Sequence, residues 1–343
     1  MTSALAGLVM VFGANLLWPA VVALLLGWSV ERGLLRRSVT AAGRAQRVTM
    51  ALAVAGPVAA LAAVTFAGRS AWYVRLPEPG VAVDGGWAPT AAGWVYLVLA
   101  GVYAAGVLLL LGRLAYGLRA AARLMRDASP ADPGCVARVG AAAEVLGVTP
   151  PPVRVSDRVA SPCVVGARRP VLLLPRPTSV SPAVWPDEVL LHELAHVRRR
   201  DGLWSVVSYL VRAWFWVVPP AWALPGRVAA TAEHACDAVV CGQTREPGRY
   251  ADLLLRFAMG GSDPRPAVLS VSHFRRGRRC LLRARVERIL GGSADADSPA
   301  AGGREAVSFA AMLLVYAGAV GVVHAANAQA TAAAGLGFLW CLP

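Results

Sequence analysis

Apolar residues along this chain gather into runs of membrane length, separated by short segments that carry arginine. Residues 4–28, 48–68 and 93–111 contain no charged side chain, and residues 306–326 form a fourth such run with His324 near its outer end. A helix needs about 20 apolar residues to cross hydrocarbon, so the pattern predicts four spans. No Arg precedes the first run and no clean small-residue cleavage site follows it, so it reads as an anchor rather than a removed leader. Between the third and fourth runs the pattern becomes mixed. Residues 153–156, 164–166 and 171–174 read as short strands split by Pro and Gly. A helix is expected from Pro186, with Asp187 and Glu188 suiting its N-terminal dipole and Val189, Leu190, Leu194 and Val197 forming an apolar stripe. A fifth apolar stretch, residues 203–218, is only 16 residues long, contains Arg212 and stops at Pro219-Pro220. By itself it fits a core helix, a helix dipped into a membrane, or a short span.

Composition agrees with a membrane protein. Hydrophobic residues are 57% and charged residues 16% of the 343, where about 45–50% and about 25% are usual. The formal charge of +14 comes from a chain whose 34 basic residues are all Arg. Without Lys there is no Walker-type phosphate loop, no Schiff-base enzyme and no Ser-x-x-Lys nucleophile. Arg placement also orients the spans. Residues 29–47 hold five Arg and one Glu, whereas in residues 69–91 two Arg are balanced by Glu78 and Asp84. The first loop is therefore expected in the cytoplasm and the second outside, which puts both termini outside. The expected organisation is three transmembrane helices within residues 1–111, a cytoplasmic domain over 112–303, and the fourth helix with a short external tail over 304–343. The six Cys form no Cys-x-x-Cys pair, so neither a disulfide framework nor a zinc knuckle is read from them.

The chemistry lies in His192-Glu193-Leu194-Ala195-His196. Four residues of helix turn the chain by about 400°, so His192 and His196 share a face and can grip one Zn2+. Glu193 lies one position on, close enough to act as the catalytic general base toward a water. A hydrolytic zinc site wants a third protein ligand. The segment Glu233-His234-Ala235-Cys236-Asp237 offers Glu233, His234, Cys236 and Asp237. Glu233 and Asp237 share a helix face, so Glu233 is favoured as the metal ligand, with Asp237 behind it accepting the free ring N–H of a liganding His. His234 points about 100° away and reads as a polar helix residue. Cys236 and Cys241 read as apolar packing.

That assignment decides the fifth stretch. A single crossing by residues 203–218 would put Glu233 on the opposite side of the membrane from His192. The chain must instead turn between Pro219-Pro220 and Pro225-Gly226, giving a membrane-associated helical hairpin over about 203–240 whose Trp204, Trp214, Trp216 and Trp222 suit an interface.

With these residues in place the sequence resembles the membrane-bound antibiotic-sensor and signal-transducer metallopeptidases of the BlaR/MecR type. The resemblance runs through residues 191–197, Arg199, Asp201, Trp214-Phe215, Pro219, Glu233 and Ala235-Cys236-Asp237. It extends upstream through Ser161-Pro162, Gly166, Pro170 and residues 172–175, and downstream through Tyr250, Leu254 and residues 285–290. It implies a mainly α, polytopic membrane protein: four transmembrane helices and a cytoplasmic gluzincin-like α+β metallopeptidase domain. It also implies an endopeptidase whose target is a cytoplasmic protein, a repressor of transcription or the protease itself. The best-known members carry an external penicillin-binding domain after the last span. Here about 17 residues follow that span and Lys is absent, so covalent β-lactam binding by this chain is not expected.

Other features are weaker. An edge strand among residues 153–174 would align an extended peptide. Tyr250 and His273 are candidates for stabilising an oxyanion, and residues 262–279 for a self-processing segment. Residues 275–288 hold seven Arg, with Leu281, Leu282, Val286, Ile289 and Leu290 in or just after them. Beside a span this reads as an amphipathic helix on anionic lipid rather than a direct nucleic-acid surface. The alternatives to a signalling protease are a membrane quality-control or prenyl-protein metalloprotease, and a non-catalytic transducer with a structural zinc site. The intact Glu193 argues against the last.

Overall fold

A computed structural model describes residues 17, 19–33, 38–67, 80–83, 86–89, 91–176, 185–260, 275–291 and 310–316. The described residues are mostly helical. Helix α1 covers residues 19–33, α2 is Val39–Ala67 and α3 is Ala91–Asp127. A two-stranded antiparallel ribbon, β1 (Gly80–Val83) with β2 (Gly86–Pro89), precedes α3. The short strand β3 (Ser129–Pro130) and helix α4 (Pro133–Leu146) follow. Asp132 caps α4 by accepting from the amides of Gly134 and Cys135, Pro133 occupies its first turn, and Gly147 closes it in the left-handed region at φ 62°.

Strands β4 (Val153–Ser156), β5 (Cys163–Val165) and β6 (Val171–Pro175) complete a small sheet in the order β3-β4-β6-β5. β4 runs parallel to β6 with Val153 opposite Leu172; β5 pairs antiparallel with β6 and forms an edge. Gly166 makes the β5–β6 connection possible. It adopts φ 109°, and a Cβ there would fall 2.5 Å from the Arg169 carbonyl oxygen. Gly166→Ala is expected to cost about 1–3 kcal/mol, read as a lower thermal unfolding midpoint.

The remaining helices are α5 (Asp187–Arg199), α6 (Asp201–Trp214), α7 (Pro219–Thr244), α8 (Pro247–Gly260), α9 (Arg275–Leu290) and α10 over residues 310–316. One apolar core joins the sheet to the helices behind it, through Leu172 and Leu174 of β6, Val139 of α4, Leu194 of α5, Val240 of α7 and Ile289 of α9. A second joins Leu24 of α1 and Met50 of α2 to Val211, Phe215 and Leu224 of the α6–α7 pair. α5 is thus held between the sheet and α7.

Among the described residues, one helix is long and apolar enough to cross a membrane: α3, from Leu97 onward. Its Val98, Val102, Leu108 and Leu109 point outward, 54–69% exposed. The expected third span, 93–111, falls inside α3, which continues unbroken to Asp127 rather than ending near 111. The expected second span falls inside α2 as far as Ala67. The expected first and fourth spans are described only at 17 and 19–28 and at 310–316, and His273 and most of 262–279 lie outside the described residues.

The hairpin also differs in detail from the sequence expectation. The chain reverses over residues 215–218, before the double proline rather than after it. Pro219 and Pro220 occupy the first turn of α7, where a missing N–H costs nothing, and Pro225 lies inside the helix.

Candidate metal centre

The centre is assembled on α5 and α7, with support from α6, α8 and α9. α5 carries His192 and His196 one turn apart. Its acidic N-terminus is braced by Arg138 on Asp187 and by Arg249 on Glu188, the latter at 3.1 Å. α7 packs against α5 and presents Glu233. His192 Nε2 lies 3.5 Å from Glu233 Oε2, and His196 Nε2 lies 3.7 Å from Glu233 Oε1. One ligand atom from each of these three residues falls within 4.8 Å of the other two.

Both imidazoles are held from behind. Tyr250 of α8 donates its hydroxyl hydrogen to Asp237 Oδ1 at 2.8 Å and lies 2.9 Å from His192 Nδ1. With its hydrogen committed to Asp237, the Tyr250 oxygen accepts from His192 Nδ1–H, which turns Nε2 toward Glu233. Asp237 Oδ1 is itself 3.4 Å from His192 Nδ1. On the other histidine, Asp201 Oδ2 lies 2.9 Å from His196 Nδ1 and also accepts from Arg199 Nε at 3.2 Å. Asp201 reaches back because Arg200, between α5 and α6, takes the left-handed conformation at φ 56°.

Arg285 of α9 closes the cluster. Its Nε and Nη2 donate to the two oxygens of Asp237 at 2.8 and 2.7 Å, and its Nη1 lies 2.8 Å from Glu233 Oε2. Burial opposes every charge here, but the pairings outweigh it. Asp237 is held at about 2 by His192 and Arg285, and Glu233 well below the usual carboxylate range by His192 and then Arg285. Burial depresses His192, yet the hydrogen bonds it donates to Asp237 and Glu233 draw it up to about 10. The point shared by the two Nε2 atoms and the Glu233 carboxylate thus attracts positive charge. Two nitrogens and a carboxylate directed at one point, each nitrogen's ring partner already occupied, fit a divalent zinc ion.

Glu193 stands apart from that triad. It accepts from the backbone N–H of Val164, in edge strand β5, at 3.0 Å. Burial raises its carboxyl above the ordinary value, and the two histidines pull it partly back. A carboxylate so raised, beside a metal-attracting point, is suited to taking up a proton.

The structure brings together His192, Glu193, His196, Glu233 and Asp237. His234 is buried and directed elsewhere, its Nδ1 without a hydrogen-bond partner among the described residues. Cys236 is fully buried, with Sγ 3.4 Å from His196 Nδ1, so it backs a ring rather than merely filling an apolar face. Tyr250, a candidate for stabilising an oxyanion, has its hydroxyl engaged with Asp237 and His192. Asp201 and Arg285 were given no role by the sequence. The available signals were an acid in the turn after the histidine helix, and two neighbouring buried carboxylates that needed a cation.

Over 104 residues the chain is 31% identical to the "Regulatory protein BlaR1" of Bacillus licheniformis, a stretch that makes up 30% of this chain. The chain spans only 17% of that relative's length. The sequence pattern described as BlaR1 peptidase M56 matches residues 84–288, which include every residue of the centre. The fold and the centre therefore belong together in one family, and the chain is a member of the BlaR1 peptidase M56 family.

Proposed function

We propose that this chain is an integral-membrane zinc metalloendopeptidase that cleaves a cytoplasmic protein, a repressor of transcription or itself, in signal transduction. The observation that carries the reading is the convergence of His192 Nε2, His196 Nε2 and the Glu233 carboxylate on one point, with Glu193 beside it. The name of the Bacillus relative, a regulatory protein, supports the signalling part. The arginine distribution supports both termini outside and residues 112–303 in the cytoplasm.

His192, His196 and Glu233 would hold zinc, which supplies Lewis acidity toward the scissile carbonyl and toward water. Asp237 through Tyr250, and Asp201 directly, keep the two rings turned so that Nε2 is available. Glu193 takes the proton of the attacking water and returns it to the departing amine. The Val164 N–H fixes that carboxylate while it is charged. Among the described residues β5 has one edge free of strand pairing, and its backbone groups suit alignment of an extended peptide.

The test is zinc content and cleavage of a repressor substrate by the purified full chain in vesicles. Bound zinc with chelator-sensitive cleavage is expected; a zinc-free, active chain would contradict the reading. Asp201→Asn should weaken zinc binding by about 10–100-fold. Its cleavage should recover in excess zinc, which loss of folding would not permit.

A further inference from the structure

The turn between α6 and α7 lies beside the middle of α3. The Tyr103 hydroxyl donates to the Trp214 carbonyl at 2.5 Å, and Trp216 Nε1 donates to the Tyr103 carbonyl at 3.2 Å. Gly106 is approached so closely that any Cβ would enter the Trp216 ring. Residues 103–106 precede Arg113, the first charge on α3, by seven to ten positions. At about 1.5 Å per residue that is roughly 10–15 Å, about half the hydrocarbon thickness. On α7 charge first appears at a matching height. Arg227, eight residues past the start of α7, pairs with Glu31 of α1 at 2.7 Å and lies over the Trp28 ring.

The turn is also built for a place without water. A tip in hydrocarbon must satisfy its polar backbone within the protein. Pro219 and Pro220 bring no N–H. The amides of Phe215, Val218 and Ala221 donate to Val211, Phe215 and Val218, and the Trp216 carbonyl accepts from Trp222 Nε1 at 2.6 Å. Leu210, Trp214, Val217 and Trp222 stay 43–50% exposed, and Val98 and Val102 of α3 are exposed as well. Arg212 lies near the tip, with its guanidinium over the rings of Tyr209 and Trp222 at 4.7 and 5.3 Å, an arrangement that lets a long cationic side chain follow apolar surface.

We propose that α6 and α7 form a re-entrant hairpin whose tip contacts acyl chains near the bilayer centre, so that bilayer depth fixes the height of the centre carried by α7. Glu233 lies 13 residues beyond Pro220, about 20 Å along the helix, which puts the centre in the headgroup layer. A substrate must then present its scissile segment at the membrane surface. The inference rests on the reading that α3 crosses the bilayer.

The test is photolabelling of the full chain in phosphatidylcholine vesicles that contain a lipid with a diazirine at the acyl-chain end. A parallel sample carries the diazirine on the headgroup, and adducts are mapped by mass spectrometry. Acyl-end adducts are expected on residues 210–222 at a yield within about twofold of those on Val98 and Val102. Gly106→Leu should reduce the hairpin adducts several-fold and leave those on α3 unchanged. Acyl-end adducts on α3 with none on residues 210–222 would overturn the hairpin alone. Acyl-end adducts on neither would overturn the membrane reading of α3, and the hairpin with it.

Discussion

Replacing Glu193 with Gln is expected to leave zinc binding intact and to lower peptide cleavage by about 10²–10⁴-fold, the usual contribution of a positioned acid–base group. Gln keeps the shape of Glu and can still accept from the Val164 N–H, so edge strand β5 stays in place. What it loses is the capacity to carry a proton. Glu193 stands outside the triad of His192, His196 and Glu233, so metal content should not follow activity down. Equal losses of zinc and activity would make Glu193 a ligand. Full activity would remove it from the mechanism.

A second large effect is expected at Arg285. This side chain is the cation for two carboxylates, Asp237 and Glu233; Asp237 is buried and Arg285 is largely so. Burial alone would depress Arg285, yet its partners hold it well above the ordinary value. Arg285→Met leaves those carboxylates uncompensated, and breaking a buried pair from one side costs about 3–5 kcal/mol. The zinc-free protein should therefore lose stability, and the zinc affinity should change as Glu233 and Asp237 shift. Arg285→Lys should recover only part of the loss, because a point charge cannot reproduce two parallel bonds to Asp237 and a third to Glu233. Thermal unfolding in chelator, with zinc competition against a colorimetric chelator, reads both. Wild-type behaviour of Arg285→Met would show that α9 is not needed to set the centre.

These two residues differ in how far sequence reveals them. His192, Glu193 and His196 are legible because helical periodicity alone fixes their relation, and the acidic start of α5 marks the helix. Glu233 and Asp237 are legible for the same reason, one turn apart on α7. Arg285 lies 48 residues beyond Asp237, and nothing local distinguishes it from the other arginines around it. An arginine-rich helix reads as a lipid-facing surface until tertiary packing turns one side chain inward. Asp201 depends on the left-handed Arg200, a conformation that a non-glycine residue seldom adopts and that sequence does not announce. The hairpin turn was displaced by a few residues for a similar reason. A double proline stops a preceding helix, but it opens a following one equally well, and here it opens α7.

A second grouping competes with His192, His196 and Glu233: His196, Asp201 and Cys236 also lie close enough together to hold an ion. X-ray absorption at the zinc edge on the purified full chain separates the two. Nitrogen and oxygen neighbours alone are expected at about 2.0–2.2 Å, with one zinc lost per chain in Glu233→Ala and none in Cys236→Ala. A sulfur neighbour at about 2.3 Å, or zinc retained in Glu233→Ala and lost in Cys236→Ala, would contradict it.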